Sequence, residues 1–203
     1  MNLFDAALQL KKLEVTVFTT NDAATLLQIT SSHASHILNH LGKAGILFKL
    51  YKGLWGFKGQ VDRLALPSYL SAPFPAYISL QTALQIHGII EQIPEVVYAV
   101  STARTRRYKT KIATISLHHL NMNFFFGYEY TADPAILIAT PEKALIDYLY
   151  FKPGKSGYFK ALPEIDLTNI DKVKAIQYIE KIPYIKRRVM VMQNFSALYQ
   201  QPN

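Results

Sequence analysis

One segment of the chain, residues 32–44, combines hydrogen-bond donors with a spacing that sorts them onto one side of a helix. At about 100° per residue, the apolar side chains fall on a single stripe: Ala34, Ile37, Leu38, Leu41 and Ala44. The opposite side carries polar and basic residues and no carboxylate: Ser32, His33, His36, Asn39, His40 and Lys43. Such side chains donate to base edges and phosphates, so the pattern predicts contact with double-stranded DNA. The plain alternative is an amphipathic helix whose polar face meets water or another protein.

The histidines of this segment also fit a second kind of chemistry. His36 and His40 are four residues apart, which is the spacing of two zinc ligands on one helix face. Structural zinc needs four ligands, and the chain has no cysteine and no acidic residue nearby on this helix. We therefore expect no metal and no cofactor. The lack of cysteine also favours a reducing, cytoplasmic location, and no apolar run is long enough to predict a membrane span.

Two helices are predicted before this segment. Residues 2–13 have the apolar periodicity of an amphipathic helix. A second helix is predicted to begin after residues 15–20, because Thr20 is a good N-cap and Asp22 is favourable in a first turn. Its apolar side is rich in alanine and leucine. Together with the DNA-facing helix, these elements predict a three-helix unit.

The third helix and the residues after it complete a recognisable order. Ser31 or Ser32 is predicted to cap this helix after a short turn, and Gly45 to end it. Residues 46–51 and 54–58 alternate in polarity around Lys52–Gly53, which predicts a β-hairpin. Three helices followed by a hairpin form a winged helix-turn-helix, predicted here for residues 1–60. In such folds the helix after the turn enters the major groove and the hairpin contacts the flanking backbone.

The predicted hairpin has basic and aromatic side chains with different expected roles. Trp55 and Phe57 are expected to pack the hairpin onto the helices. The side chains expected to reach DNA phosphates are Lys49, Tyr51, Lys52 and Lys58. The hairpin therefore extends the predicted DNA contact beyond the third helix.

The rest of the chain is predicted to hold a connector and a mixed α/β domain, which makes the fold class α+β. Residues 61–78 are predicted to be the connector, because Pro67, Pro73 and Pro75 interrupt them. Residues 79–203 form the second domain. Its predicted strands are residues 95–101, 111–120, 124–130 and 135–139. Its predicted helices run from Ser79 to Gly88, from Thr140 to near Pro153–Gly154, over residues 171–181 and over residues 184–200.

A second basic segment lies within residues 101–111. It contains five cations and no carboxylate: Arg104, Arg106, Arg107, Lys109 and Lys111. One interpretation is a solvated loop or an edge strand that its charges protect from aggregation. The other is a second polyanion contact or a docking surface for an acidic partner. Composition does not separate these interpretations.

The order of segments resembles one known family. A winged helix-turn-helix is followed by the Arg-rich segment, by residues 124–130 (FFFGYEY) and by residues 136–151 (ILIATPEKALIDYLYF). This order is similar to that of AbiEi-type antitoxins and related transcriptional regulators of abortive-infection (type IV) toxin–antitoxin pairs. The most specific part is residues 139–147, which match the family's recurrent A-x-PEKAL-x-D pattern.

The resemblance implies an autorepressor that is not an enzyme. Its N-terminal domain would bind inverted repeats ahead of its own operon, and its C-terminal domain would support repression and antagonise a nucleotidyltransferase-like toxin. The residues themselves predict that Pro141 and Glu142 begin a helix and that Asp147 caps it or pairs locally. The expected buried face of that helix contains Ala144, Leu145, Tyr148 and Leu149. The motif is therefore predicted to support structure rather than chemistry.

Two other function classes stay open. Metal-dependent nucleases hold Mg²⁺ with an acid and a following Glu-x-Lys or Asp-x-Lys triplet, whereas Glu142 and Lys143 are adjacent here. A solitary ligand-responsive regulator would instead bind a small molecule in its second domain. The side chains that would line such a pocket are Phe124, Phe125, Phe126, Tyr128 and Tyr130. Alternation along a strand also places about half of such residues in the core.

Overall fold

The N-terminal part of the chain alternates helices with short strands. A computed structural model of the protein describes residues 2–131, 136–151 and 164–200. The first elements are α1 (Leu3–Lys11), β1 (Val17–Thr19), α2 (Thr20–Leu27), α3 (Ser31–Lys43), β2 (Leu47–Tyr51) and β3 (Leu54–Phe57). The strands form an antiparallel sheet in the order β1-β3-β2. The predicted order of three helices and a hairpin is confirmed, and β1 is a strand that the sequence interpretation lacked.

The start of α2 is fixed one residue earlier than predicted. Thr19, not Thr20, is the N-cap. Its hydroxyl accepts from the Asp22 backbone N–H at 3.1 Å, and the Asp22 carboxylate accepts from the Thr19 N–H at 2.7 Å. This reciprocal pair is a capping box, which satisfies two donors that the first turn leaves without partners. Thr20 is thereby free to bond elsewhere.

The two ends of α3 also differ from the prediction. Thr30, rather than Ser31 or Ser32, is the N-cap, and its hydroxyl accepts from the His33 N–H at 3.3 Å. At the other end, Ala44 is exposed instead of lying on the buried stripe. The reason is that α3 ends at Lys43, so Ala44 is the C-cap and no longer follows the helical period.

Residues 61–78 contain regular structure, although the sequence predicts a connector there. They include α4 (Leu66–Ser71) and β4 (Ala76–Ile78), and all three residues of β4 are buried. Pro67 lies in the first turn of α4, where a missing N–H leaves no bond unmade. Pro73 and Pro75 precede β4 and do not interrupt it. The prolines therefore flank these elements rather than exclude them.

A six-stranded sheet organises the remaining strands. Besides β4 it contains β5 (Val96–Ser101), β6 (Arg106–Lys109), β7 (Thr114–His119), β8 (Tyr128–Tyr130) and β9 (Leu137–Ala139). Its order is β6-β7-β5-β4-β9-β8, with β5 parallel to β7 and β4 parallel to β9. Only the last three residues of the predicted strand 124–130 are extended, because Met122–Phe124 form a 3-10 turn. The Arg-rich segment forms the edge strand β6.

Four further helices complete the described chain: α5 (Leu80–Ile86), α6 (Pro141–Phe151), α7 (Lys172–Glu180) and α8 (Ile185–Leu198). All four were predicted, although the predicted end of α6 near Pro153–Gly154 lies outside the described residues. Ser79 precedes α5 at the N-cap position without capping it; its hydroxyl donates to Asp147 at 2.8 Å instead. Within the described residues, no helix has the length and apolar character needed to cross a membrane.

Buried apolar side chains form two clusters that both include the hairpin. One cluster joins α1, α2 and α3 to Leu47, Trp55 and Phe57. The other surrounds the six-stranded sheet and includes Leu50 and Leu54. The hairpin thus contributes to both clusters, which ties the N-terminal elements to the rest of an α+β architecture.

Candidate nucleic-acid interface

The polar face of α3 is open to solvent along its whole length. Ala34, Ile37, Leu38 and Leu41 are buried beneath it, as the helical period predicts. The exposed side chains are Ser32, His33, His36, Asn39, His40 and Lys43. The Asn39 amide donates to the Ser35 carbonyl at 2.8 Å. Among the described residues, no carboxylate forms a salt bridge with Lys43. The face therefore presents donors without local negative charge.

A shallow groove runs between α2 and the start of α3. Its volume is about 1000 Å³, and it is lined by Asn21, Ala24, Thr25, Gln28, Ile29, Thr30, Ser31 and His33. The Ser31 hydroxyl donates to the Asn21 side chain at 3.0 Å across this groove. Because none of these side chains is acidic, the groove extends the carboxylate-free character of the α3 face toward α2.

The hairpin is fastened to the helices through Trp55, as predicted. Trp55 is buried, and its indole N–H donates to the Thr20 hydroxyl at 3.1 Å. Thr20 therefore bonds Trp55 instead of capping α2. The Lys49 ammonium lies 5.4 Å from the centre of the Trp55 ring. Lys49 and Lys52 are both exposed, so the hairpin offers cations beside the helices it packs against.

Tyr51 has a different environment from the one predicted for a DNA contact. It is half-buried, and its ring meets the Tyr108 ring edge-on at 5.4 Å. Its hydroxyl accepts from the Arg106 guanidinium at 3.3 Å. The Tyr108 hydroxyl donates to the Leu70 carbonyl of α4 at 3.0 Å. Tyr51 therefore lies at a junction between the hairpin and the edge strand β6.

The basic segment is exposed on and beside β6. All five of its cations are exposed: Arg104, Arg106, Arg107, Lys109 and Lys111. The loop before β6 is held by His119, whose backbone N–H donates to the Thr105 hydroxyl at 2.9 Å. The His119 ring nitrogen Nδ1 lies 3.0 Å from the Ala103 carbonyl. These contacts fix the loop from which the cations project.

The structure brings the hairpin and the basic segment together at Phe48, a residue that the sequence interpretation did not single out. The ammonium groups of Lys58 and Lys111 each lie 5.9 Å from the centre of the Phe48 ring. The two cations are therefore no more than twice that distance apart, although 53 positions separate them in the chain (111 minus 58). Alternation along β2 could have suggested that Phe48 faces away from Lys49, but not which cations it meets.

The PEKALID motif forms a buried charged network rather than an open site. Lys143 and Asp147 are fully buried and form a salt bridge one turn apart on α6. Asp147 also accepts from the hydroxyls of Tyr77 and Ser79, both at 2.8 Å. Burial lowers the pKa of Lys143, and the Asp147 carboxylate opposes that shift. The local pairing predicted for Asp147 is confirmed, and the motif serves the core.

The aromatic residues around 124–130 pack against this network. The Lys143 ammonium lies 4.0 Å from the centre of the Phe124 ring and 5.3 Å from that of Phe126. Tyr128 stacks on Tyr77 at 4.9 Å. Tyr130 is exposed, whereas Phe124 is fully buried. Apart from Tyr130, these aromatic side chains therefore pack against the core around a buried cation.

A buried histidine lies on the opposite side of the sheet from Tyr108. The Ser116 hydroxyl and His118 Nε2 are 3.0 Å apart, and the His118 ring lies 5.3 Å from that of Phe151 on α6. Burial lowers the pKa of His118 to about 4. Its imidazole is therefore neutral at neutral pH. In the described ranges, no three histidine, aspartate or glutamate side chains are grouped so that they could hold a metal ion.

Comparison of the sequence with models of known protein families gives no match, and comparison with curated proteins also gives none.

Proposed function

We propose that the protein is a double-stranded DNA-binding repressor whose residues 1–60 form a winged helix-turn-helix. The observation that carries the proposal is the face of α3, where six polar or basic side chains are exposed and none is acidic. In this arrangement α3 enters the major groove, and the hairpin β2–β3 is the wing beside it. Ser32, His36 and Asn39 then face base edges, while Lys43 faces a phosphate.

The cations beyond α3 support an extended phosphate contact. Lys49 and Lys52 are exposed on the hairpin, and Lys58 lies near Lys111 of the basic segment across Phe48. DNA carries one negative charge per roughly 1.7 Å of helix axis. Two cations as close together as Lys58 and Lys111 can therefore each contact a phosphate of the same duplex. We propose that the basic segment is a second contact with the same duplex.

The wider role is proposed from the resemblance to AbiEi-type regulators. The repressor would act on its own operon in the cytoplasm, without enzymatic activity or a bound cofactor. Residues 79–203 would support repression and neutralise a nucleotidyltransferase-like toxin. The buried Lys143–Asp147 pair supports a structural rather than a chemical role for the PEKALID motif within this scheme.

DNA binding is tested by fluorescence anisotropy with a duplex from the region upstream of the gene. Lys43→Glu is expected to weaken binding at least tenfold and to reduce the slope of log affinity against log salt by about one. Asn39→Ala is expected to weaken binding about five- to 150-fold, because it removes one base contact worth about 1–3 kcal/mol, and to leave the salt slope unchanged. Lys12→Glu is the matched control, since it reverses an exposed charge at the C-cap of α1, away from α3. Equal effects of Lys43→Glu and Lys12→Glu would contradict the proposal.

The antitoxin role is tested separately by co-expression with the adjacent downstream gene. We expect that gene alone to stop growth and this protein to restore it. A harmless neighbour would contradict the antitoxin role and leave the DNA-binding proposal standing.

A further inference from the structure

The junction between the hairpin and β6 is built from specific contacts rather than from general packing. The Tyr51 hydroxyl accepts from Arg106 at 3.3 Å, and the Arg106 guanidinium carbon lies 4.9 Å from the centre of the Tyr108 ring. Tyr108 in turn meets Tyr51 edge-on and donates to the Leu70 carbonyl. The series therefore runs from β2 through β6 to α4, which are three separate elements.

Arg106 makes two contacts at this junction and is still exposed to solvent. One face of its guanidinium lies over the Tyr108 ring, and one of its amino groups donates to Tyr51. The residue is nevertheless exposed, as are its neighbours in the basic segment. A guanidinium has five N–H donors in a fixed fork. It is thus able to bond Tyr51 and still present donors to an anion.

The junction fixes how far the cations of the hairpin lie from those of the basic segment. Tyr51 is the last residue of β2, and Phe48, which separates Lys58 from Lys111, belongs to the same strand. Without the junction, the hairpin would keep its contacts with α3 through Trp55 and with the sheet cluster through Leu50 and Leu54, but the edge strand β6 would lose its direct bond to β2 and could shift more easily relative to it. Two surfaces that move independently lose entropy when both bind one rigid duplex.

We infer that Tyr51 is a positioning residue, which locks the hairpin onto β6 so that α3 and the basic segment bind one DNA duplex as a single preorganised surface. This inference rests on the proposed function. Tyr51 then makes no direct contact with DNA, because Arg106 holds the hydroxyl that would otherwise reach a phosphate. The partner is a duplex that extends beyond the site covered by α3.

The experiment compares two duplexes, a short one that spans only the α3 site and a longer one extended by one helical turn on each side. The wild-type protein is expected to bind the long duplex more tightly. Tyr51→Phe removes the hydroxyl and keeps the ring, and it is expected to weaken binding to the long duplex about fivefold with no change on the short one. Tyr130→Phe is the matched control, because it removes an exposed hydroxyl from the opposite edge of the sheet.

A double-mutant cycle separates positioning from direct contact. Arg106→Lys keeps the charge but loses the guanidinium fork, and it is expected to produce the same loss as Tyr51→Phe. If Tyr51 acts through Arg106, the double variant is no weaker than either single variant. In Tyr51→Phe without DNA, the hairpin amides should also exchange hydrogen faster than in the wild type. The free energy of unfolding of the whole protein should change by less than the free energy of opening derived from exchange at these amides.

The outcomes distinguish this inference from the proposed function. Wild-type protein that binds neither duplex would overturn both. Wild-type binding with no loss in Tyr51→Phe would overturn the inference alone. Additive losses in the double variant would show that Tyr51 contacts DNA itself, which also overturns the inference and leaves the proposed function standing.

Discussion

Helices α3 and α6 both carry polar side chains and lysine, yet they use them in opposite ways. On α3 every polar residue from Ser32 to Lys43 on the outer face is exposed, with the apolar stripe beneath. On α6 the residues Glu142, Lys143 and Asp147 are buried, as are the apolar residues between them, Ala144, Leu145 and Ile146. Lys43 has no salt-bridge partner among the described residues, whereas Lys143 is held by Asp147.

This contrast shows that a conspicuous motif and an available site are different things. PEKALID is the most distinctive segment of the sequence. Its Lys143 and Asp147 pair with each other inside the core, and Glu142 pairs with the partly exposed Lys174. The α3 face has a less distinctive sequence, and its donors point to solvent. Substitutions in α6 are therefore expected to change stability, and those in α3 to change binding.

Breaking the buried network should have the largest effect. Asp147→Ala leaves the Lys143 ammonium without its carboxylate and the Tyr77 and Ser79 hydroxyls without their acceptor. We expect the free energy of unfolding to fall by about 3–5 kcal/mol, as for other buried pairs that lose one partner. Chemical denaturation measures this change. The double variant Lys143→Met with Asp147→Asn removes both charges and should recover part of the loss; if it is worse than Asp147→Ala, unpaired charge is not the cause.

The next effect concerns pH and the buried imidazole beside α6. Burial lowers the pKa of His118 to about 4 in the folded protein, whereas the unfolded chain has an ordinary histidine pKa of about 6.5. The unfolded state therefore binds more protons between these values, so the stability is complete above about pH 6.5 and is lost as the pH falls. By pH 4 the loss due to His118 should reach about 3 kcal/mol.

The measurement is urea denaturation of wild type and His118→Gln from pH 7 to pH 4. The wild type should lose more stability than the variant over this range. His36→Asn is the control on α3, because it removes an exposed histidine and should keep the wild-type dependence. Parallel curves for wild type and His118→Gln would contradict the assignment.

A smaller effect is expected at two glycines that differ only in their surroundings. Gly127 and Gly45 have φ of +75° and +74°, a region that favours glycine. A Cβ at Gly127 would lie 3.1 Å from the Lys143 side chain, whereas one at Gly45, after α3, would meet nothing within 4 Å. Gly127→Ala should cost about 1–2 kcal/mol and Gly45→Ala less. Equal losses in thermal or chemical denaturation would mean that the contact with Lys143 is easily relieved.

The smallest effect on stability is expected on the α3 face itself. His40→Ala removes an exposed side chain of the α3 face. We expect the free energy of unfolding to change by no more than about 0.5 kcal/mol, while DNA affinity falls. A large loss of stability would show that the face is structural and would remove the contrast with α6.

Local patterns predicted α3 and the hairpin well, because their periodicity is carried by residues close in the chain. The same reasoning misplaced the α2 cap, since Thr19 and Thr20 are equivalent until the Asp22 carboxylate is counted three residues after Thr19. Strand β4 was missed because three residues directly after Pro75 have too short a pattern to recognise. Its burial depends on β5 and β9, which are distant in sequence.

The site was predictable to a similar extent. Exposure of the α3 face follows from its own sequence and is confirmed, while its contact with DNA stays a prediction. The meeting of Tyr51 with Arg106 and of Lys58 with Lys111 could not be predicted, because it depends on how the hairpin docks onto β6. The full burial of Lys143 was also hidden, since its aromatic neighbours Phe124 and Phe126 lie in a different segment.

Strand β4 has a mechanical consequence. The chain leaves the hairpin, passes through α4 and enters the six-stranded sheet between β5 and β9 rather than at an edge. A pulling force on residues 1–60 would therefore load a strand that has neighbours on both sides, and both hydrogen-bond ladders would have to shear together before it moved. The N-terminal part is therefore tethered to an interior strand of the sheet rather than to an edge strand.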